Sequence, residues 1–263
     1  MAKKTIVLIS GGNRGIGLEI IKALLEAPAR NIPSGAPYHV YLGSRDLQKG
    51  KEVAAGLATT NGSTVAAIQL DITSPESVDA AVAEVKADSG RVDVLINNAG
   101  ANFSIGSPLS AETMKALYDL NVVGPSRMTD AFRPLLLAQP SEGSKVEKRL
   151  IHVTSSLGSI GARIDPKYEF YDAPYRAYRC SKAALGMLTA CHAYEFKDDG
   201  VKVHAFDPGL VATDFGASSP DSKRAHGAVE PQVPGLACRD ILEGKRDDQR
   251  DVIVSIKGDT FPF

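Results

Sequence analysis

Thr5-Ile6-Val7-Leu8-Ile9-Ser10-Gly11-Gly12-Asn13-Arg14-Gly15-Ile16-Gly17 is the stretch that decides the fold. Ile6 to Ile9 do not alternate with polar residues, so a strand built from them is covered on both faces. Glycines follow, and then a helical pattern over residues 15–26. Glycine at a strand-to-helix turn lets the chain fold sharply and lets a pyrophosphate approach the helix N-terminus. The free N–H groups and dipole there favour an anion. The spacing Gly-x-x-x-Gly-x-Gly differs from the longer dinucleotide fingerprint. A tight turn alone would also use these glycines; their place after the first strand favours a dinucleotide.

Outward from this stretch, apolar β-branched runs alternate with helical patterns. Strands are predicted at residues 5–10, 38–42, 65–70, 92–97, 150–154, 201–206 and 252–256, with helices over 15–26, 75–86, 111–132 and 177–196. Such alternation calls for an α/β fold, a Rossmann-type doubly wound parallel sheet of about seven strands with helices on both faces. With 263 residues and no low-complexity linker, one domain spanning 1–263 is expected. Residues 28–37, 160–177 and 214–234 read as insertions or mobile loops.

Composition narrows the function. The formal net charge of −1 argues against nucleic acid or an acidic membrane surface as a partner. Cys180, Cys191 and Cys238 lack metal-ligand spacing and read as reduced thiols of a cytoplasmic protein, and no metal site is expected. The apolar run at 5–9 is too short for a signal peptide and enters glycines with no cleavage pattern. No run is long enough to span a bilayer.

Several strand ends carry groups suited to a nucleotide. The second ends Leu42-Gly43-Ser44-Arg45. A carboxylate there would bond a ribose 2′-hydroxyl, whereas an arginine accommodates a 2′-phosphate. Arg14 is a second candidate cation for that phosphate, so NADP(H) is favoured; Asp46, beside Arg45, argues the other way. Asp71-Ile72 ends the third strand, where the carboxylate would meet an adenine amino group or cap the next helix. Asn97-Asn98-Ala99-Gly100 ends the fourth, at the edge where open α/β folds bind ligands. Asn121 sits in a helical stretch, where an exposed polar position is the plainer reading. The fifth strand delivers Ser155 and Ser156.

Tyr178-Arg179-Cys180-Ser181-Lys182 adds the chemistry. A tyrosine and a lysine four apart meet on one helix face. A free phenol titrates near pH ~10, and a nearby ammonium is expected to draw it down toward the working range.

Together the glycine loop, Asn97-Asn98-Ala99-Gly100, Ser155, Tyr178-x-x-x-Lys182 and Asp207-Pro208-Gly209 resemble the short-chain dehydrogenase/reductase family over nearly the whole chain. The resemblance implies a seven-stranded parallel sheet with the site at its carboxyl ends. Tyr178 would be the acid or base, Lys182 would hold the nicotinamide ribose and lower the phenol's pKa, and Ser155 would polarise the carbonyl. Asn121 would bind a water joining Lys182 to a proton relay. Gly11, Gly15 and Gly17 would cradle the pyrophosphate, with Asn13, Arg14 and Ile16 in the same loop. Ser44 and Arg45 would lie at the 2′-phosphate end, Asp71 and Ile72 at adenine, and Asn98, Ala99 and Gly100 along the adjoining ribose. Pro208, Gly209, Val211 and Thr213 would flank the nicotinamide. Relatives show Ser-x-x-Gly after the fifth strand, which selects Ser155, ahead of Gly158, over Ser156.

The 23 positions from Ser155 to Tyr178 (178 − 155) exceed what most of that family carries. The surplus, 160–177, resembles the carbonyl-reductase-like branch. It holds Tyr168, Phe170, Tyr171 and Tyr175 in a chain only 6% aromatic. Such a wall suits a bulky hydrophobic ketone or aldehyde; the alternative is a surface decoration packing its own aromatics. Phe103, Ile105, Leu210 and Phe215 would complete the pocket, and 214–234 would close over the ligand. A rival reading keeps the fold and NADP(H). As in specialised metabolism, the enzyme would then reduce an iminium or guide a cyclisation, with Arg127, Arg163 and Asp165 as candidates. A cofactor-sensing regulator without turnover is a third. The resemblance leaves homodimer, homotetramer and monomer all open.

Overall fold

The computed structural model describes residues 4–26, 36–60, 62–102, 110–140, 146–216 and 218–263. Phe103, Ile105 and most of the stretch at 28–37 lie outside them. Strands β1 (Thr5–Ser10), β2 (Tyr38–Ser44), β3 (Thr64–Gln69), β4 (Val94–Asn97), β5 (Lys148–Val153), β6 (Val201–Asp207) and β7 (Ile253–Ser255) run parallel. A two-residue strand, β8 (Thr260–Phe261), pairs antiparallel with β7 and adds an eighth to the seven expected. The order β3-β2-β1-β4-β5-β6-β7-β8 places the reversal of strand order between β1 and β4, where doubly wound sheets bind their ligands.

The helices are α1 (Gly15–Leu25), α2 (Leu47–Ala55), α3 (Pro75–Asp88), α4 (Ala111–Tyr118), α5 (Gly124–Leu137), α6 (Ile160–Ile164), α7 (Arg176–Glu195), α8 (Pro220–Ala225) and α9 (Gln232–Leu242). The opening stretch feeds both faces of the sheet. Ile6 and Leu8 join a core with Met128, Phe132 and Phe196, while Val7 and Ile9 join one with Ile20, Leu24, Phe206 and Ile241. Fully burying one such side chain contributes about 1.5–3 kcal/mol. The second core needs α9 close to α1, and Gly235 permits it: a Cβ there would lie 2.6 Å from the Glu19 carbonyl oxygen.

Two stretches expected to be loops carry structure. Residues 160–177 hold α6 and a series of turns, and 214–234 hold α8 together with a bridge between Val211 and Val229. The helix expected over 111–132 is also not continuous, since a π-helical turn, Asp119–Val123, separates α4 from α5.

Three histidines are buried. His152 on β5 faces His192 on α7, Nε2 to Nδ1 3.0 Å. His204 has both ring nitrogens without a hydrogen-bond partner, and burial, helped by Arg149, pushes it down to about 4. The unfolded chain therefore takes up these protons first, so stability rises with pH between the folded and unfolded values. Unfolding free energy should be full above pH ~6.5 and fall as pH drops toward 4, by on the order of 3 kcal/mol from His204 alone. Urea unfolding of the wild type and of His204→Leu across that range checks this; equal pH dependence in the two proteins would refute the assignment.

Candidate active site

At the switch point, the β4 end is stitched to the glycine turn. Asn98 Nδ2 donates to the Ser10 and Gly11 carbonyl oxygens at 2.9 and 3.1 Å, and the Asn98 and Ala99 N–H groups both donate to Ser10 Oγ at 3.1 Å. Gly11 and Gly15 have φ of +67° and +56°, a region that glycine enters without strain. A Cβ at Gly17 would lie 2.4 Å from the Gly11 oxygen. Arg14, extended and exposed, precedes α1, and no side chain caps that helix. Its first turn thus offers free N–H groups and the positive end of the dipole, a fit for a pyrophosphate.

Asp46 is not placed like a ribose ligand. Its carboxylate caps α2, accepting from the Lys49 N–H at 3.1 Å. Ser44 is buried and donates to the Asp46 carbonyl oxygen at 2.7 Å, while Arg45 is exposed. Asp71 does not cap α3; Ser74 does. Asp71 Oδ1 accepts from the Thr73 N–H and hydroxyl at 2.9 and 2.7 Å, and buried Ile72 packs where a side chain at Gly124 would sit.

The Tyr-x-x-x-Lys face of α7 points inward. Tyr178 and Lys182 are 6% and 5% exposed. Lys182 Nζ donates to the Val153 carbonyl oxygen at 2.9 Å and lies 5.7 Å from the Tyr178 ring centre. Ser155 Oγ accepts from the Leu157 N–H at 3.2 Å, and its hydroxyl acts to lower the Tyr178 phenol. The glycine of Ser-x-x-Gly has a steric reason: a Cβ at Gly158 would lie 2.6 Å from the Lys182 carbonyl carbon.

Asn121 is not an exposed position. It is 1% exposed, within the π-helical turn, accepts from the Ala101 N–H and donates to the Ala101 oxygen and Ser181 Oγ, each at 3.0 Å. The extra residue of a π turn frees a backbone register, a device common at functional sites.

The expected lowering of the phenol is corrected. Burial pushes Tyr178 up, the Asp207 charge adds to it, and only the Ser155 hydrogen bond opposes them. Desolvation outweighs the distant ammonium, so Tyr178 is a protonated donor at neutral pH. Lys182 is pushed down to about 8 by burial, with Asp207 opposing. Asp207 itself, at the β6 end, is 3% exposed and raised by burial, and accepts from the Gly209 N–H at 2.9 Å. The sequence offered one signal for this carboxylate: its place at the head of Asp207-Pro208-Gly209, directly after the sixth predicted strand.

The nicotinamide-side candidates adjoin the glycine turn. A Cβ at Gly15 would come 3.8 Å from the Thr213 methyl. Thr213, Pro208 and Val211 are buried, and Gly209 is exposed at φ +68°. Lys223, not foreseen, fastens this loop by donating to the Thr213 and Phe215 carbonyl oxygens at 2.6 and 2.5 Å. Phe215, 39% exposed, meets the Tyr178 ring edge at 6.1 Å.

In the insertion, Arg179 donates to the carbonyl oxygens of Phe170, Ala173 and Leu157. Tyr168 meets the rings of Phe170 and Phe261 edge-on at 5.9 Å. The groups named for cyclase or iminium chemistry are placed elsewhere. Arg127 donates to the Ile72 carbonyl oxygen, and exposed Arg163 lies over the Tyr171 ring. Asp165 is exposed and accepts from the Lys167 N–H.

A nucleotide-type turn at the switch point, with a buried Tyr–Lys pair on the same sheet edge, defines an α/β oxidoreductase. The family described as short chain dehydrogenase matches residues 5–224, and this chain belongs to it. The short-chain dehydrogenase/reductase tropE of Talaromyces stipitatus is 33% identical, covering 100% of this chain and 99% of that protein. The short-chain dehydrogenase/reductase eupG of a Phoma species is 34% identical over 94% and 92%. Among solved structures, an NADPH-bound carbonyl reductase from chicken fatty liver superposes with a TM-score of 0.79 at 26% identity over the full length of both chains. An alcohol dehydrogenase from the archaeon Thermococcus sibiricus, complexed with 5-hydroxy-NADP, gives 0.73 at 28% over 92% and 91%. No helix among the described residues is long and apolar enough to cross a membrane.

Gly158→Ala should cost about 1–3 kcal/mol, because backbone must move to admit the methyl. Gly186→Ala, which meets only the Phe263 ring at 3.1 Å, should cost less. Urea unfolding of both variants measures the difference, and equal losses would contradict the close approach of α7.

Proposed function

We propose that this protein is an NADPH-dependent reductase of bulky hydrophobic ketones or aldehydes, with Tyr178 as the proton donor. The observation that carries this reading is buried Tyr178 with Lys182 Nζ 5.7 Å from its ring centre and held at 2.9 Å by the Val153 carbonyl, on the sheet edge that also carries the glycine turn. The nicotinamide, when bound, supplies the hydride. The protein's own groups do the rest. Ser155 and Tyr178 would hold the carbonyl oxygen, and Tyr178 would pass its proton to that oxygen as negative charge develops there. Lys182 would steady the phenolate left behind, which is reprotonated from solvent. Asn121 fixes the Ala101 backbone and Ser181 next to Lys182 and, in this reading, would order a water of the relay.

The uncapped N-terminus of α1 would take the pyrophosphate, with Asn98 holding the turn in shape. Arg14 and Arg45, both exposed while Asp46 is turned to α2, support a 2′-phosphate and hence NADPH over NADH. Phe215 at the Tyr178 ring edge and Leu210 support an apolar substrate. The chain would work as one catalytic domain in the cytoplasm on a small-molecule carbonyl compound.

A panel of aryl and alkyl ketones and aldehydes, followed by NADPH oxidation, tests the reading. Tyr178→Phe should lower kcat about 10²–10⁴-fold while leaving NADPH binding, read by fluorescence, intact. Unchanged turnover in that variant would remove the phenol from the mechanism. Arg45→Asp should raise KM for NADPH roughly tenfold or more, the worth of a charge-assisted contact, with little change for NADH.

The pH profile gives a separate check. Lys182, lowered to about 8, is cationic below that pH and neutral above it. Reduction kcat/KM should therefore be flat near neutrality and fall as pH rises through about 8. A profile level to pH ~10, the ordinary range of a lysine, would show that burial does not set the limb.

A further inference from the structure

A single ammonium reaches from the outer loop to two residues that face different parts of the site. Lys223 lies in the last turn of α8 and is 8% exposed, whereas Asp221, Ser222 and Arg224 around it are exposed. Its Nζ donates to the Thr213 carbonyl oxygen at 2.6 Å and to the Phe215 carbonyl oxygen at 2.5 Å. Both acceptors are neutral, and Asp214, between them in sequence, is exposed. Taking an ammonium out of water is costly even when it is bonded. A surface turn needs no buried cation to close it, so the cost points to a demand on those two residues.

Thr213 is buried against the glycine turn, since a Cβ at Gly15 would lie 3.8 Å from its methyl. Phe215 turns its ring edge-on to Tyr178, with centres 6.1 Å apart. With the two carbonyls bonded to one atom, the path of the chain between them is set, and with it the place of each side chain. Lys223 is anchored independently of both. Ser219 caps α8, accepting from the Ser222 N–H at 3.2 Å. The Val229 N–H donates to the Leu210 oxygen and the Ala212 N–H to the Val229 oxygen, each at 2.9 Å, and the Ala228 N–H donates to the Lys223 oxygen at 3.0 Å. Helix α8 is thus hung from the segment leaving β6, and Lys223 reaches back across it. Arg224, next in sequence, pairs with Asp221 and Glu230 at the surface.

We propose that Lys223 is a positioning residue that holds Thr213 at the glycine turn and Phe215 at the Tyr178 ring as one unit, so that the nucleotide seat and the apolar wall of the substrate pocket are set together. The kinetic consequence rests on the reductase reading; the placing of Phe215 does not. Without the ammonium both carbonyls lose a donor and the chain from 213 to 215 is free to turn. The loss falls on binding, because Tyr178 and Lys182 are held by α7 and the β5 end.

The chain has no tryptophan, so Phe215→Trp supplies a single fluorescent reporter at the position in question. Its acrylamide quenching and anisotropy are read in the full-length protein with Lys223 intact, with Lys223→Met and with Arg224→Gln. Lys223→Met should raise quenching and lower anisotropy. With Phe215 restored, it should raise KM for the best ketone of the panel and Kd for NADPH roughly tenfold each, the worth of a charge-assisted hydrogen bond, while kcat changes far less. Arg224→Gln, which breaks only a surface pair, should match wild type throughout. An unmoved reporter in Lys223→Met, or both affinities kept, overturns the proposal, and equal changes in Arg224→Gln overturn the assignment to Lys223. If Lys223→Met does not fold, Lys223→Gln, shorter and neutral, takes its place. Failure of both to fold while Arg224→Gln folds shows that the ammonium serves the whole fold and overturns the local role. A moved reporter in a protein that oxidises NADPH with no carbonyl compound removes the reductase reading and leaves the placing of Phe215 standing.

Discussion

A lysine ammonium shut away from water is the constraint on which the catalytic edge of this protein depends. Removing an ammonium from solvent costs several kcal/mol even after the protein relaxes. Lys182 recovers part of that from the Val153 carbonyl and part from the Asp207 charge. The Val153 carbonyl ends β5, which pairs in parallel with β6 up to Val153 and Phe206, one residue before Asp207. The sheet therefore fixes the electrostatics of the site as well as its shape.

Close backbone approach is the means by which this is done. Helix α7 sits against the turn after β5 because Gly158 has no side chain, and the nucleotide-type turn lies against Asn98 because Gly17 has none. Gly235 does the same between α1 and α9. Each of these glycines weakens its own segment, since glycine loses the most conformational freedom on folding. Tight packing around Lys182, the turn and the second core offsets that loss, and it leaves the pieces little freedom to drift. A site that transfers a proton needs this, since misplacement by an ångström can cost about 10²-fold.

Much of this was legible in the sequence, for identifiable reasons. Apolar, β-branched runs mark the strands, and β1, β2, β4, β5 and β6 lie close to where such runs place them, although His39, His152, Lys202 and His204 interrupt three of them. Helices α1, α3 and α7 are legible from their periodicity. The π turn between α4 and α5 is not, because one inserted residue leaves the apolar pattern almost unchanged. Two-residue β8 carries no periodicity at all. Asn121 reads as exposed because asparagine in a helix is ordinarily solvated, and only a break in the helix turns it inward. The roles of Asp46 and Ser74 as caps depend on which of several adjacent polar residues happens to precede the first turn, a choice that propensity alone leaves open.

The largest departure concerns Tyr178, and its cause is general. Spacing in a sequence reports which side chains can meet; it does not report how much water is left between them. Tyrosine and lysine four apart on an exposed helix would exchange charge stabilisation through solvent, and the phenol would soften slightly. On a buried face, desolvation penalises phenolate and ammonium alike, raising one group and lowering the other. The neutral–cationic pair that results is a donor backed by a charge, poised to respond when negative charge appears on the phenol oxygen and not before. A low dielectric makes that response strong at the moment of transfer. The same burial that defeats the simple expectation for the phenol's pKa is thus what makes the pair useful.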